Sequence, residues 1–172
     1  MKRTWAEVDF DKLAHNYHAL RGLAPAGTKY LGLVKADAYG HGAVPVTKKL
    51  EELGADYLGV ACLDEAIEVR EAGVKTPILI LGCTSSIYAA ELVKYNITQA
   101  CYDLEYAKEL SAGAQKAGGT ITVHIQCDTG MTRLGFMCHE DTMEKSASEI
   151  IEAVKLPGLK AEGIFTHFSD SD

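Results

Sequence analysis

The 172-residue sequence lacks a long apolar run, a cluster of basic residues and a paired cysteine motif. No apolar stretch approaches the roughly 20 residues that span a bilayer, and none follows the basic start as a signal peptide requires. Acidic residues outnumber basic ones by 24 to 17, for a net charge of −7, which argues against nucleic-acid binding. We therefore predict a cytoplasmic protein that binds neither membrane nor nucleic acid.

The five cysteines are an odd number, and no two of them form a CxxC pair. This pattern argues against both a disulfide framework and a zinc site, so we predict reduced thiols and no metal. Cys62 and Cys83 follow predicted strands, and we expect both to be buried structural thiols.

What the sequence does contain is a regular alternation of apolar runs and amphipathic stretches. The apolar runs predict six strands, at residues 30–34, 57–61, 77–81, 97–102, 121–127 and 159–166. The amphipathic stretches between them predict helices, and an additional helix at 11–23, with Leu13, Tyr17 and Leu20 facing inward, precedes the first unit. Gly54, Gly73 and Gly118 follow helical patterns where a left-handed helix end is expected.

About six successive βα units predict an α/β fold with a parallel sheet, because parallel neighbours need helical crossovers. An open doubly wound sheet and a (β/α)8 barrel both fit this rhythm. No GxGxxG motif follows the first strand, which weakens a dinucleotide-binding interpretation. A complete barrel has eight strands and typically about 250 residues. The residues alone thus leave an open sheet and an incomplete barrel as alternatives.

Polar side chains follow three of the predicted strands, at the ends where parallel α/β folds place their sites. They lie in the segments VKADAYGHG (34–42), QCDTGMTRLG (126–135) and GIFTHFSDSD (163–172). We expect Lys35, Tyr39, Arg133 and His167 from these segments to converge on one face. An unprotonated lysine amine attacks an aldehyde, and partial burial between Val34 and Ala36 favours that form. A tyrosine hydroxyl suits a phosphate, and an arginine suits a carboxylate or phenolate.

These three segments, together with the opening TWAEVDFDKLAHNYHALR, resemble the alanine racemases, enzymes of fold type III that depend on pyridoxal 5′-phosphate (PLP). The resemblance covers essentially the whole chain. It implies a TIM-type (β/α)8 barrel that is incomplete here. It also implies that residues 1–172 are a truncated N-terminal PLP-binding barrel domain, without the family's C-terminal β-domain.

The resemblance further implies a role for each site residue. Lys35 would hold PLP as an imine and act as the base on one face of the substrate. Tyr39 would bind the cofactor phosphate, and Arg133 the phenolic oxygen and the substrate carboxylate. His167 would lie beside the pyridine ring. Gln126 stands where the family often has a carboxylated lysine that steadies the arginine, so we expect an amide hydrogen bond, alone or together with a bound anion, to orient Arg133 instead.

The activity expected from the resemblance is an isomerase reaction, the interconversion of L-alanine and D-alanine for peptidoglycan precursors, by a homodimer. In the family the base on the opposite face is a tyrosine from the partner subunit's C-terminal domain. We therefore expect residues 1–172 alone not to racemise alanine. A racemase for another small amino acid, such as serine, and a non-catalytic PLP-binding module are the alternatives.

Overall fold

A computed structural model describes residues 3–170, and the chain divides into two compact units at the Ile78–Leu79 bond. The last two residues of the GIFTHFSDSD segment lie outside the described part. Within residues 3–170, no helix is both long enough and apolar enough to cross a membrane. Strands and helices alternate along most of each unit.

In the first unit, strands β1 and β2 pair in parallel, with Leu31 opposite Tyr57 and Leu33 opposite Gly59. The unit buries an apolar core around Leu58. Its elements are α1 (Phe10–Leu23), β1 (Leu31–Leu33), the helical turn α2 (Lys35–Gly40), α3 (Ala43–Glu52), β2 (Tyr57–Val60), α4 (Leu63–Glu71) and the first residue of β3 (Ile78–Ile80).

In the second unit, β3 pairs with β4, β4 with β5, and β5 with both β6 and β7, all in parallel. The β7 pairing runs along the length of β5, whereas β6 pairs only at its carboxyl end. The elements are a 3₁₀ turn (Ser86–Tyr88), α5 (Ala89–Tyr95), β4 (Thr98–Cys101), α6 (Leu104–Lys116), β5 (Ile121–Asp128), β6 (Phe136–Met137), α7 (Met143–Ala153) and β7 (Leu159–Thr166).

The predicted parallel α/β class is confirmed, and each of the six predicted strands overlaps an observed one. The three glycines expected at helix ends all have positive φ, between 68° and 92°. The prediction missed β6, because a strand of two residues is too short to show alternation. It was also wrong about Leu20, which is 55% exposed, while Tyr17 on the same helix is buried.

Candidate active site

The turn α2 carries Lys35 and winds in the left-handed sense. Residues 36–39 all have φ between 51° and 55°, although none of them is glycine. A left-handed conformation costs an L-residue roughly 1–2 kcal/mol because its Cβ approaches the following carbonyl oxygen. Strain of this kind persists only where surrounding contacts over-determine the backbone, and it is concentrated at functional sites.

Hydrogen bonds at both ends of the turn hold it in place. The Ala38 N–H donates to the Val34 carbonyl (2.9 Å), and the Gly42 N–H donates to the Asp37 carbonyl (2.9 Å). The Asp37 carboxylate accepts a further bond from the Ala43 N–H (2.6 Å), at the first residue of α3. The turn is thereby fixed between strand β1 and the start of the next helix.

The structure brings Lys35 and Tyr39 together on this turn. The Lys35 Nζ lies 6.0 Å from the centroid of the Tyr39 ring. Lys35 is half-buried and Tyr39 is 57% exposed. Within residues 3–170 no carboxylate forms an ion pair with Lys35. The amine therefore belongs to a half-buried side chain next to a tyrosine ring, and no structural salt bridge holds it.

Arg133 lies in the second unit, on a loop that Asp128 organises. Asp128 ends β5 and is buried, and its carboxylate accepts bonds from the N–H groups of Gly130 (2.9 Å), Thr132 (3.0 Å) and Arg133 (2.9 Å). These backbone donors hold the pKa of Asp128 below its usual range. Gly135 closes the loop at φ 135°, where a Cβ would lie 2.6 Å from the Asp128 nitrogen.

The Arg133 side chain lines a pocket of about 420 Å³ together with Tyr102, Asp103 and Met137. The guanidinium has no hydrogen-bonding or ionic partner in the part of the chain that the structure describes, since Asp128 binds only its backbone N–H. A guanidinium free on a pocket wall suits a planar anion such as a carboxylate or phenolate.

Gln126 and His167 also lie in the second unit. The Gln126 side chain is buried, and among residues 3–170 its Oε1 accepts no hydrogen bond and its amide forms none with Arg133. The expected amide bond to Arg133 is thus not observed. His167 is exposed directly after β7, whose end is joined to that of β5 by a 2.7 Å bond between the hydroxyls of Thr129 and Thr166.

Two further points correct the sequence analysis. Cys62 and Cys83 are exposed, not buried, and the Cys83 Sγ lies 2.7 Å from the Tyr102 hydroxyl. Glu65, in the first turn of α4, was not predicted as a site residue, yet its carboxylate bonds the backbone of the Lys35 turn. The only sequence signal for Glu65 is a glutamate at the third position of a helix, where such side chains often reach back toward the helix start.

Comparison with known proteins gives a consistent family match. The protein-family model for the N-terminal domain of alanine racemase matches residues 8–172. An alanine racemase of Clostridium perfringens is 44% identical over 172 residues, which is all of this chain and 43% of that protein. One from Clostridium tetani is 42% identical over the same length, again 43% of the relative. The chain thus spans less than half the length of these relatives.

Solved structures agree with this match. Alanine racemase of Clostridium difficile 630, in complex with cycloserine, superposes with a TM-score of 0.92 at 43% identity, covering 98% of this chain and 45% of that one. The Bacillus anthracis enzyme with bound L-Ala-P gives 0.85 at 32% identity, covering 98% and 42%. The prediction of an incomplete (β/α)8 barrel is confirmed.

Proposed function

The chain belongs to the alanine racemase family through its N-terminal domain, and on that premise we propose that it forms the PLP-binding part of an enzyme that interconverts L-alanine and D-alanine. The observation that carries the proposal is Lys35, an accessible amine on a strained left-handed turn after strand β1. The named relatives are alanine racemases, which favours alanine over serine as the substrate.

The side chains present carry the functional groups that bind PLP, namely an amine, a hydroxyl and a guanidinium. Lys35 supplies an amine without an ionic partner among residues 3–170, and Tyr39, which is 57% exposed and has its ring centroid 6.0 Å from that amine, supplies a hydroxyl. Arg133 supplies a permanent cation on a pocket wall. When bound, PLP supplies an electron sink that makes the substrate Cα–H acidic.

In this proposal each residue has its own task. Lys35 would hold the cofactor covalently through Nζ. Once the substrate's amino group had taken the place of Nζ, the freed amine would move the proton at the substrate Cα on one face. Tyr39 would donate a hydrogen bond from its hydroxyl to the cofactor phosphate. Arg133 would bind the phenolic oxygen and orient the substrate carboxylate, while Asp128 fixes the backbone from which Arg133 extends. His167 would lie beside the pyridine ring.

The remaining parts of the proposal concern the complete protein. We assign residues 1–172 to an N-terminal barrel domain that works with a C-terminal β-domain in a homodimer. The D-alanine produced serves peptidoglycan precursors. A cytoplasmic location is supported by the five cysteines, all of which are free thiols. Light scattering on the full-length protein tests the dimer.

The experiment that tests the PLP assignment uses borohydride, which reduces an imine to a stable amine. The chain is incubated with PLP, reduced and digested, and the peptides are analysed by mass spectrometry. We expect the adduct on Lys35 and its loss in Lys35→Ala. An adduct confined to other lysines contradicts the assignment.

Racemisation is tested separately, because it needs a proton-transfer group on each face of the substrate. Such groups typically contribute 10²- to 10⁴-fold each, and residues 1–172 supply only Lys35 in this proposal. We expect D-alanine formation from L-alanine by the full-length enzyme and none above the free-PLP rate by the 172-residue chain. Turnover on the order of 10 per second by the chain alone would require a second base within it.

A further inference from the structure

Two backbone N–H groups from different parts of the first unit meet on one carboxylate, that of Glu65. The Ala36 N–H donates to Glu65 Oε1 at 2.8 Å, and the Ala61 N–H donates to Oε2 at 2.7 Å. We infer that Glu65 is a positioning residue for the Lys35 amine, because its carboxylate fixes the peptide group between Lys35 and Ala36. This inference rests on the proposed function, in which that amine carries the cofactor.

The position of Lys35 depends on the hydrogen bonds on either side of it. On the amino side, the Val34 N–H donates to the Gly59 carbonyl at 2.8 Å and continues the contact between β1 and β2. On the carboxyl side, the Ala36 N–H has Glu65 as its acceptor. Ala36 is also the first of the residues with left-handed φ and ψ, so its bond to Glu65 lies where the left-handed turn begins.

The chemistry of the contact requires a carboxylate. Each oxygen of an ionised carboxylate accepts, and neither donates, so one group can serve two N–H donors at once. A glutamine has one oxygen and one amide nitrogen, and the nitrogen would place its own N–H against one of the two backbone donors. An aspartate is one methylene shorter, which leaves its carboxylate with too little reach for both.

A role confined to the helix accounts for only half of the arrangement. Glu65 stands at the third residue of α4, and its bond to Ala61, four residues back, is the local contact of a helix start. The bond to Ala36 joins α4 to a residue 29 positions away, directly after Lys35. A local helix cap does not need this second bond, whereas a residue that positions Lys35 does.

The test compares the 172-residue chain with its Glu65→Gln variant, and uses Asp64→Asn as the matched control. Asp64 stands in the same first turn of α4 and is exposed, so its variant loses the same charge without touching the Lys35 turn. After incubation with PLP and borohydride, the adduct on Lys35 is divided by that on exposed Lys48 as an internal standard. We expect Glu65→Gln to lower this ratio about tenfold, as for loss of one charge-assisted bond, and Asp64→Asn to change it by less than about twofold.

A second readout needs no cofactor. Amide hydrogen exchange in a peptide covering residues 34–42 should accelerate about tenfold in Glu65→Gln and stay unchanged in Asp64→Asn. Circular dichroism and urea midpoints report whether each variant is folded, and Glu65→Asp replaces Glu65→Gln if the latter is not. A lower urea midpoint with an unchanged adduct ratio and unchanged exchange overturns the inference, since it leaves Glu65 a helix cap only. Absence of a Lys35 adduct in the unmodified chain contradicts the proposed function instead, and hydrogen exchange then decides on Glu65 independently.

Discussion

Replacing Ala36 with glycine should stabilise the protein, although the same change in a helix destabilises it. Ala36 has φ 51° and ψ 53°, and its methyl group is exposed. Its N–H, which bonds Glu65, is unaffected by the substitution. Glycine removes the left-handed penalty of roughly 1–2 kcal/mol, and its greater freedom in the unfolded chain costs about 0.5–1 kcal/mol. The difference between these two terms spans about 0 to 1.5 kcal/mol, so the expected gain is centred on about 0.75 kcal/mol.

The assay is thermal and urea unfolding, monitored by circular dichroism, with Ala19→Gly as the control. Ala19 is also exposed and belongs to the same unit, but it lies within the right-handed helix α1. Glycine there should cost about 1 kcal/mol. In a chain of this size the two variants should shift the melting temperature in opposite directions, by about 2–4 °C per kcal/mol. A loss of stability in Ala36→Gly equal to that in Ala19→Gly would refute the reasoning, because the turn would then carry no strain.

Three further predictions concern the second unit. Asp128→Asn should lower the free energy of unfolding at pH 7 by about 2 kcal/mol through loss of a charge-assisted bond. Because the folded-state pKa of Asp128 is depressed, this difference should shrink as the pH falls below the unfolded-state value of about 3.9. Asp141→Asn, an exposed control, should leave the free energy of unfolding at pH 7 unchanged. Gly135→Ala should lower the free energy of unfolding by at least about 2 kcal/mol, since the added Cβ would lie 2.6 Å from a backbone nitrogen. A urea midpoint equal to that of the unmodified chain would contradict this close packing. Racemisation by the full-length enzyme should not depend on bicarbonate, because the amide of Gln126 cannot form a carbamate. Reversible loss of activity on removing carbon dioxide would mean that a lysine elsewhere in the protein is carboxylated and needed for activity.

The strand–helix rhythm could be predicted from the sequence because it depends on local patterns. Apolar runs bounded by glycines located six strands, and helix-end glycines such as Gly73 followed from the need for positive φ. The buried face of a helix was harder to predict. Helix α7 buries Ser146 and Ala153, while the larger Met143 and Ile151 are each 54% exposed, so side-chain size and hydrophobicity alone do not identify its buried face.

The hand of the Lys35 turn could not be predicted, because its residues give no local signal for it. Alanine, aspartate and tyrosine at positions 36–39 would ordinarily favour a right-handed conformation. The left-handed turn depends on contacts distant in sequence, such as that between Ala36 and Glu65. Gln126 gives a further example, because the amide bond expected toward Arg133 is absent within residues 3–170.

The two basic side chains to which the proposed function assigns the cofactor are positioned in the same way. Beside each stands a carboxylate that binds backbone N–H groups rather than the basic side chain: Glu65 bonds Ala36 next to Lys35, and Asp128 bonds the N–H of Arg133. An ion pair with the side chain would have neutralised the charge of Arg133 or occupied the Lys35 amine. Bonding to the backbone avoids this, because the carboxylate orders the loop while the side chain stays available. Substituting either carboxylate should therefore change the position of the neighbouring basic side chain without changing its chemistry.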